Sequence, residues 1–170
     1  MSENLVELCR HNAWANERLF AACEGLSEAQ LDATLSGTFG SIRDTLLHIV
    51  GAQERFVTAL AEAGPVLVFR EREPFPGVAA LREIARNSSA ALGELAAQAQ
   101  PGATATTPHR GVYYTLPVWL LLLQALTHAT EHRTQVAAIL TQQGIQPPGM
   151  DGWTYHETEY DGDWSRLWLW

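Results

Sequence analysis

The 170-residue sequence contains no lysine, and all 11 of its basic side chains are arginine. That absence excludes a Schiff-base lysine and the lysine of a phosphate-binding loop. Acidic residues outnumber basic ones by 19 to 11, for a formal charge of -8 and a pI near 5.1. Nucleic-acid affinity comes largely from clustered positive charge, so DNA and RNA match this balance poorly.

Cysteine is nearly absent too. Cys9 and Cys23 fall in one expected helix, and 14 residues at 1.5 Å each separate them by ~21 Å, beyond the reach of a disulfide. Reduced thiols fit a cytoplasmic protein. No long hydrophobic run is present either: the stretch from Val118 to Leu126 is broken by Gln124 and falls short of the ~20 residues that span a bilayer. The start, Met1-Ser2-Glu3-Asn4, has no basic region leading into an apolar one. No signal peptide is therefore expected, and a cytoplasmic location is.

What is present is ordinary for a globular chain: 46% hydrophobic residues, 18% charged, mean hydropathy -0.09. The expectation is one domain over residues 1–170, with a Trp-rich C-terminal tail from about residue 145. A chain of this length buries roughly 70% of its unfolded surface around a single core, so folding alone requires no metal. A metal, where one is bound, serves function.

Apolar positions recur at three and four from Asn4 to Cys23, which predicts a first helix stopped by Gly25. Ser41-Ile42-Arg43-Asp44 has the form of a capping box, and the helix it opens is expected to reach about Ala63. The connection from Pro65 to Gly77 holds three prolines and a short Val66-Leu67-Val68-Phe69 run, read as a link with one small strand. A third helix follows from Val78 to about Ala99. Two β-prone runs, Ala103 to Thr107 and Val112 to Thr115, surround a turn and predict a hairpin. The last long helix starts near Pro117, an acceptable first-turn residue, and runs to about Gln143. Four long helices and one hairpin make an all-α four-helix bundle with a small β-hairpin before its last helix.

Of six histidines, at 11, 48, 109, 128, 132 and 156, only one pair forms a local motif. His128 and His132 are four apart, so they stack on one helix face and suit joint capture of a metal. On a helical wheel of about 100° per residue, both lie inside the arc made by Leu121, Ala125, Val136 and Ile139. Unpartnered imidazoles on an apolar stripe are costly to bury. A third ligand is needed, and His48 is the best candidate, although the wheel places it at the edge of its helix's apolar arc beside Asp44 and Arg55. His11 is a rival, whereas His109 and His156 read as surface residues. Three neutral imidazoles with an open position suit Zn, Ni, Co or Fe. An ion so held lowers the pKa of bound water, or fixes a thiolate.

His128-Ala129-Thr130-Glu131-His132 also satisfies the H-x-x-E-H string of inverted zinc proteases, which casts Glu131 as an acid–base or orienting group. That reading wants a further carboxylate ligand downstream, where only a short Trp-rich tail remains. No glycine-rich phosphate loop, C-x-x-C pair or G-x-S-x-G elbow occurs.

Three stretches resemble the DinB/YfiT-like superfamily. They are His11-Asn12-Ala13-Trp14-Ala15-Asn16-Glu17-Arg18-Leu19, Ser41-Ile42-Arg43-Asp44-Thr45-Leu46-Leu47-His48-Ile49, and His128-Ala129-Thr130-Glu131-His132-Arg133. The resemblance covers about Leu5 to Gly144. It implies an up-down-down-up bundle with His48, His128 and His132 as metal ligands. It also implies a divalent ion such as Zn or Ni, with Fe, Co and Mn as others, and frequently a homodimer. Some relatives are transferases or isomerases that use low-molecular-weight thiols. The function this suggests is a metal-dependent thiol transferase acting on a small molecule, with a non-catalytic metal-binding or stress-related protein, or a metal-dependent hydrolase, as alternatives. The family pattern often has Gly-Gln after the arginine; this chain has Thr134-Gln135.

Overall fold

A computed structural model describes residues 2–61, 70–109 and 111–160. Helix α1 (Ser2–Cys23) is followed by a one-turn helix α2 (Glu28–Leu31) and by α3 (Ile42–Leu60). A 3-10 turn (Arg70–Arg72) precedes α4 (Val78–Gln98). Strands β1 (Thr104–His109) and β2 (Val112–Pro117) lead into α5 (Val118–Gln142), and a short α6 (Gly152–Glu159) ends the described chain. The strand expected at Val66–Phe69 lies outside the described residues, as does the stretch of the Trp-rich tail from 161 to 170.

Local chemistry sets the boundaries. The Ser41 hydroxyl accepts the Asp44 N–H at 3.1 Å while the Asp44 carboxylate accepts the Ser41 N–H at 3.2 Å, so the capping box forms as the sequence predicts and starts α3. At the far end of α5, Gly144 takes φ 75°. The Ile145 N–H then reaches back to the Leu140 carbonyl at 3.0 Å and the Gly144 N–H to the Thr141 carbonyl at 3.0 Å. This satisfies carbonyls the ending helix orphans and turns Ile145 onto the core. The hairpin pairs antiparallel from Thr104↔Pro117 to His109↔Val112. Helix α6 falls where the sequence suggested only an aromatic tail; the Asp151 side chain caps it by accepting the Trp153 and Thr154 N–H groups.

Two apolar clusters give the bundle its directions. One joins Leu19 and Phe20 near the end of α1, Ile42 and Leu46 at the start of α3, Leu81 of α4 and Ile139 of α5. The other joins Cys9 near the start of α1, Phe56 and Leu60 at the end of α3, Leu92 of α4 and Leu122 of α5. Helices α1 and α5 therefore run one way and α3 and α4 the other, the up-down-down-up order. Between the clusters lies a polar layer drawn from all four helices. Buried Arg133 donates to the Asn12 and Asn16 carbonyl oxygens at 2.6 and 2.7 Å. Both asparagine amides donate to Gln53 Oε1, whose own amide donates to Ser88, Ser89 and the Ala85 carbonyl. No buried side-chain nitrogen or oxygen among the described residues lacks a partner, which is the condition for such a layer to specify a core rather than weaken it. No described helix is long and apolar enough to cross a membrane.

Candidate metal centre

The histidines sit at the level of this polar layer, on the α3–α5 side of the bundle. His48 lies two turns into α3, placed by the Ser41 cap. His128 and His132 stand one turn apart on α5. His128 is half-buried and His132 is buried, 9% exposed. The three rings form a triangle with centroid separations of 4.8, 4.6 and 4.4 Å. One ligand atom from each lies within 4.8 Å of the others. His48 Nε2 and His128 Nε2 are 3.0 Å apart, close to the ~3.3 Å that separates two nitrogens on one tetrahedral zinc at ~2.05 Å each.

Hydrogen bonds on the outer nitrogens fix which way the lone pairs point. His48 Nδ1 donates to Glu71 Oε1 at 2.7 Å. His132 Nδ1 donates to Gln135 Oε1 at 3.0 Å, and the same oxygen accepts the Phe39 N–H at 3.0 Å. With their protons on Nδ1, both rings keep an Nε2 lone pair for an ion, the arrangement that metal-binding imidazoles require. Glu71 is in turn gripped by Arg55 through two nitrogens at 2.9 and 3.1 Å.

The electrostatics agree with neutral ligands. Burial holds the His48 imidazole below its usual pKa despite the opposing hydrogen bond to Glu71. Burial, followed by the neighbouring His132 and His48, pulls His128 down to about 4. Burial pushes the Glu71 carboxyl up, but the hydrogen bonds from Arg55, the backbone and His48 together outweigh it and bring the group to about 2. The contact between Glu71 and His48 is thus a neutral imidazole N–H on an ionised carboxylate. Ligand number, spacing and charge, together with the tautomers of His48 and His132, fit a divalent transition ion.

Aromatic rings close over the triad. Phe39 stacks on His48 at 4.0 Å and 14° and meets His132 edge-on at 5.4 Å. Phe56 approaches His128 edge-on at 6.3 Å.

The structure thus gathers the sequence-derived set His48, His128 and His132. Glu131 lies on the exposed face of α5 and pairs with no described residue. The carboxylate that touches the triad is Glu71, which comes from the 3-10 turn. The rival ligand His11 is engaged elsewhere: its Nε2 meets the Met150 carbonyl at 3.0 Å, and its ring packs on Trp14 and Tyr155. His156 is half-buried rather than exposed, with its ring 5.2 Å from that of Tyr160. Burial pushes the Cys9 and Cys23 thiols up to about 11 and about 12, so neither is an activated nucleophile.

Glu71, Gln135 and Phe39 escaped the sequence reading. Gln135 carried a readable signal, since a residue three after His132 shares its face of the helix. A groove of about 590 Å³ runs between α1 and α4, lined by Ala13, Ala90 and Gly93 among others. None of its lining residues belongs to the triad, and its three arginines are all paired, Arg82 and Arg86 with Glu17 and Arg10 with Glu7. The triad lies between α3 and α5, away from this groove.

The sequence matches the family model described as the DinB family over residues 1–164. No curated protein matches it. Among solved structures, the crystal structure of a DinB-like protein from Bacillus cereus ATCC 10987 aligns with TM-score 0.67 at 15% identity, covering 86% of this chain and 95% of that one. At that identity the likeness shows the fold.

Proposed function

The chain belongs to the DinB family, and from its three converging imidazoles we propose that it binds a divalent ion, Zn or Ni foremost, and catalyses thiol transfer onto a small molecule. The observation that carries this reading is the 3.0 Å approach of His48 Nε2 to His128 Nε2 with His132 beside them. The two nitrogens stand at hydrogen-bond distance, close to the spacing of two ligands on one ion, so a divalent cation would take the place of the proton shared between them. His48, His128 and His132 would hold the ion through three neutral nitrogens, a donor set that would leave it able to attract an anionic co-substrate such as a thiolate. When bound, the ion supplies Lewis acidity that draws a thiol towards its ionised form.

The protein's own residues do the rest. Glu71 and Gln135 hold His48 and His132 by their Nδ1 protons, so neither ring needs to reorient when a ligand arrives. Phe39 and Phe56 replace water around the triad with ring faces and edges, which strengthens every charge interaction inside. The co-substrate in this reading is a low-molecular-weight thiol. Glu131, exposed and unpaired, is given no part in it. A homodimer in the cytoplasm, as one domain, completes the proposal.

Elemental analysis of purified protein tests the binding step. About one equivalent of metal in the wild type, lost in His48→Ala, His128→Ala and His132→Ala, supports the centre; no uptake under any loading condition leaves core histidines instead. Conjugation of glutathione or a comparable thiol to 1-chloro-2,4-dinitrobenzene, present with metal and absent without it, tests the transfer step. Metal uptake without turnover of any thiol pair favours a binding protein.

A further inference from the structure

The 3-10 turn Arg70–Arg72 is fastened to α3 by two adjacent bidentate ion pairs of opposite polarity. Arg70 donates to both Glu54 oxygens at 2.8 and 2.9 Å. Next to it, Arg55 donates to both Glu71 oxygens at 2.9 and 3.1 Å. The helix offers acid then base, and the turn offers base then acid. A slip of one residue in either direction sets Glu54 against Glu71 or Arg55 against Arg70, so the charge order fixes the register as well as the attachment.

Gly51 makes room for this clamp. It is buried within α3, where glycine is a poor helix former. A Cβ there lies 3.0 Å from Glu71 Oε2, 3.1 Å from an Arg55 nitrogen and 3.2 Å from Arg70 Cβ. The helix gives up a side chain at the one position where the turn comes down on it. The clamp ends on His48, whose Nδ1 is 2.7 Å from Glu71 Oε1. A surface link between helices has no need of a register, a buried glycine and an imidazole at its end.

We propose that Glu71 is a positioning residue of the metal centre, and that the clamp of Glu54–Arg70 and Arg55–Glu71 over Gly51 exists to deliver its carboxylate to His48. The inference rests on the metal reading above. The carboxylate keeps the proton on Nδ1, fixes the plane of the ring and increases the electron density offered by Nε2. Carboxylate partners of this kind typically change metal affinity by about 10- to 100-fold.

Exchanging charges separates delivery of the carboxylate from simple fastening. Zn²⁺ affinity, measured by competition with a chromophoric chelator, and the visible absorption of the Co²⁺-loaded protein are compared across five full-length proteins. Glu71→Gln is expected to bind the same one equivalent about 10- to 100-fold more weakly, with a shifted Co²⁺ band. Gly51→Ala is expected to weaken binding in the same direction. The double exchange Glu54→Arg with Arg70→Glu remakes its pair and leaves Glu71 in place, but it removes the alternation of charge that fixes the register and sets an acid beside Glu73, so it is expected to bind more weakly than the wild type and more tightly than Glu71→Gln. The exchange Arg55→Glu with Glu71→Arg also remakes its pair, but it sets a guanidinium against His48 and is expected to bind weakly at undiminished thermal stability. Wild-type affinity and spectrum in Glu71→Gln, or wild-type affinity in the 55/71 exchange, overturns the inference and leaves the clamp a fastening only. Failure of the wild type to take up metal overturns the metal reading and this inference with it, so the two failures are distinguishable.

Discussion

His48 and His128, 80 residues apart in sequence, face each other through their Nε2 atoms at 3.0 Å across the α3–α5 interface. The antiparallel course of those helices sets that meeting, since it brings the second turn of α3 level with the middle of α5. The capping box at Ser41 sets where α3 begins and so at which height His48 projects.

The polar layer at the same height makes a stability prediction. Gln53 accepts from Asn12 and Asn16 and donates to Ser88, Ser89 and the Ala85 carbonyl. Gln53→Leu orphans several buried groups at once, each costing roughly 1–3 kcal/mol. A loss of about 2–4 kcal/mol in urea denaturation is expected, with much of the helical circular dichroism kept below the transition. A change under about 0.5 kcal/mol contradicts the role assigned to the layer.

Acid weakens the metal-free protein in a defined direction. His128 has a folded-state pKa of about 4 and His48 is also lowered, with burial the first cause for both. Between the ordinary histidine value of ~6.5 and about 4, the unfolded chain binds protons that the folded chain refuses. Stability is therefore full above pH ~6.5 and falls as pH drops towards 4. Melting temperatures of the apo protein across this range are expected to decline, and to decline less in His128→Ala.

Phe39 covers the triad while remaining 49% exposed. Its removal sacrifices little buried surface but opens one side of His48 and His132. Phe39→Ala is expected to melt within about 3 °C of the wild type, since a loss of ~1 kcal/mol moves a chain of this size by about 2–4 °C. A chelator should strip its metal several-fold faster. Unchanged stripping kinetics would show that access lies elsewhere.

The sequence showed some parts of this centre plainly and hid others, for physical reasons. His128 and His132 were visible because a four-residue spacing on an apolar stripe is a property of one helix alone. His48 was ambiguous on its own wheel because it sits at a boundary, where the structure leaves it half-buried; resemblance to a family supplied what periodicity lacked. Glu71 was invisible, because its place depends on a turn that folds back on α3 from within the proline-containing connection. Glu131 looked attractive as part of a string, yet about 100° of helix separates it from His132 and carries it to the exposed face. Helix α6 was missed because eight residues without a clear apolar face give little periodic signal; only Asp151 as cap marked it.

Crystals loaded with Zn²⁺ and measured across the zinc absorption edge test the central claim most directly. The account predicts one anomalous peak per chain, ~2.0–2.1 Å from a nitrogen of each of His48, His128 and His132, with Glu71 still bonded to His48 Nδ1. A peak held by other residues, or none in crystals grown with excess zinc, contradicts it.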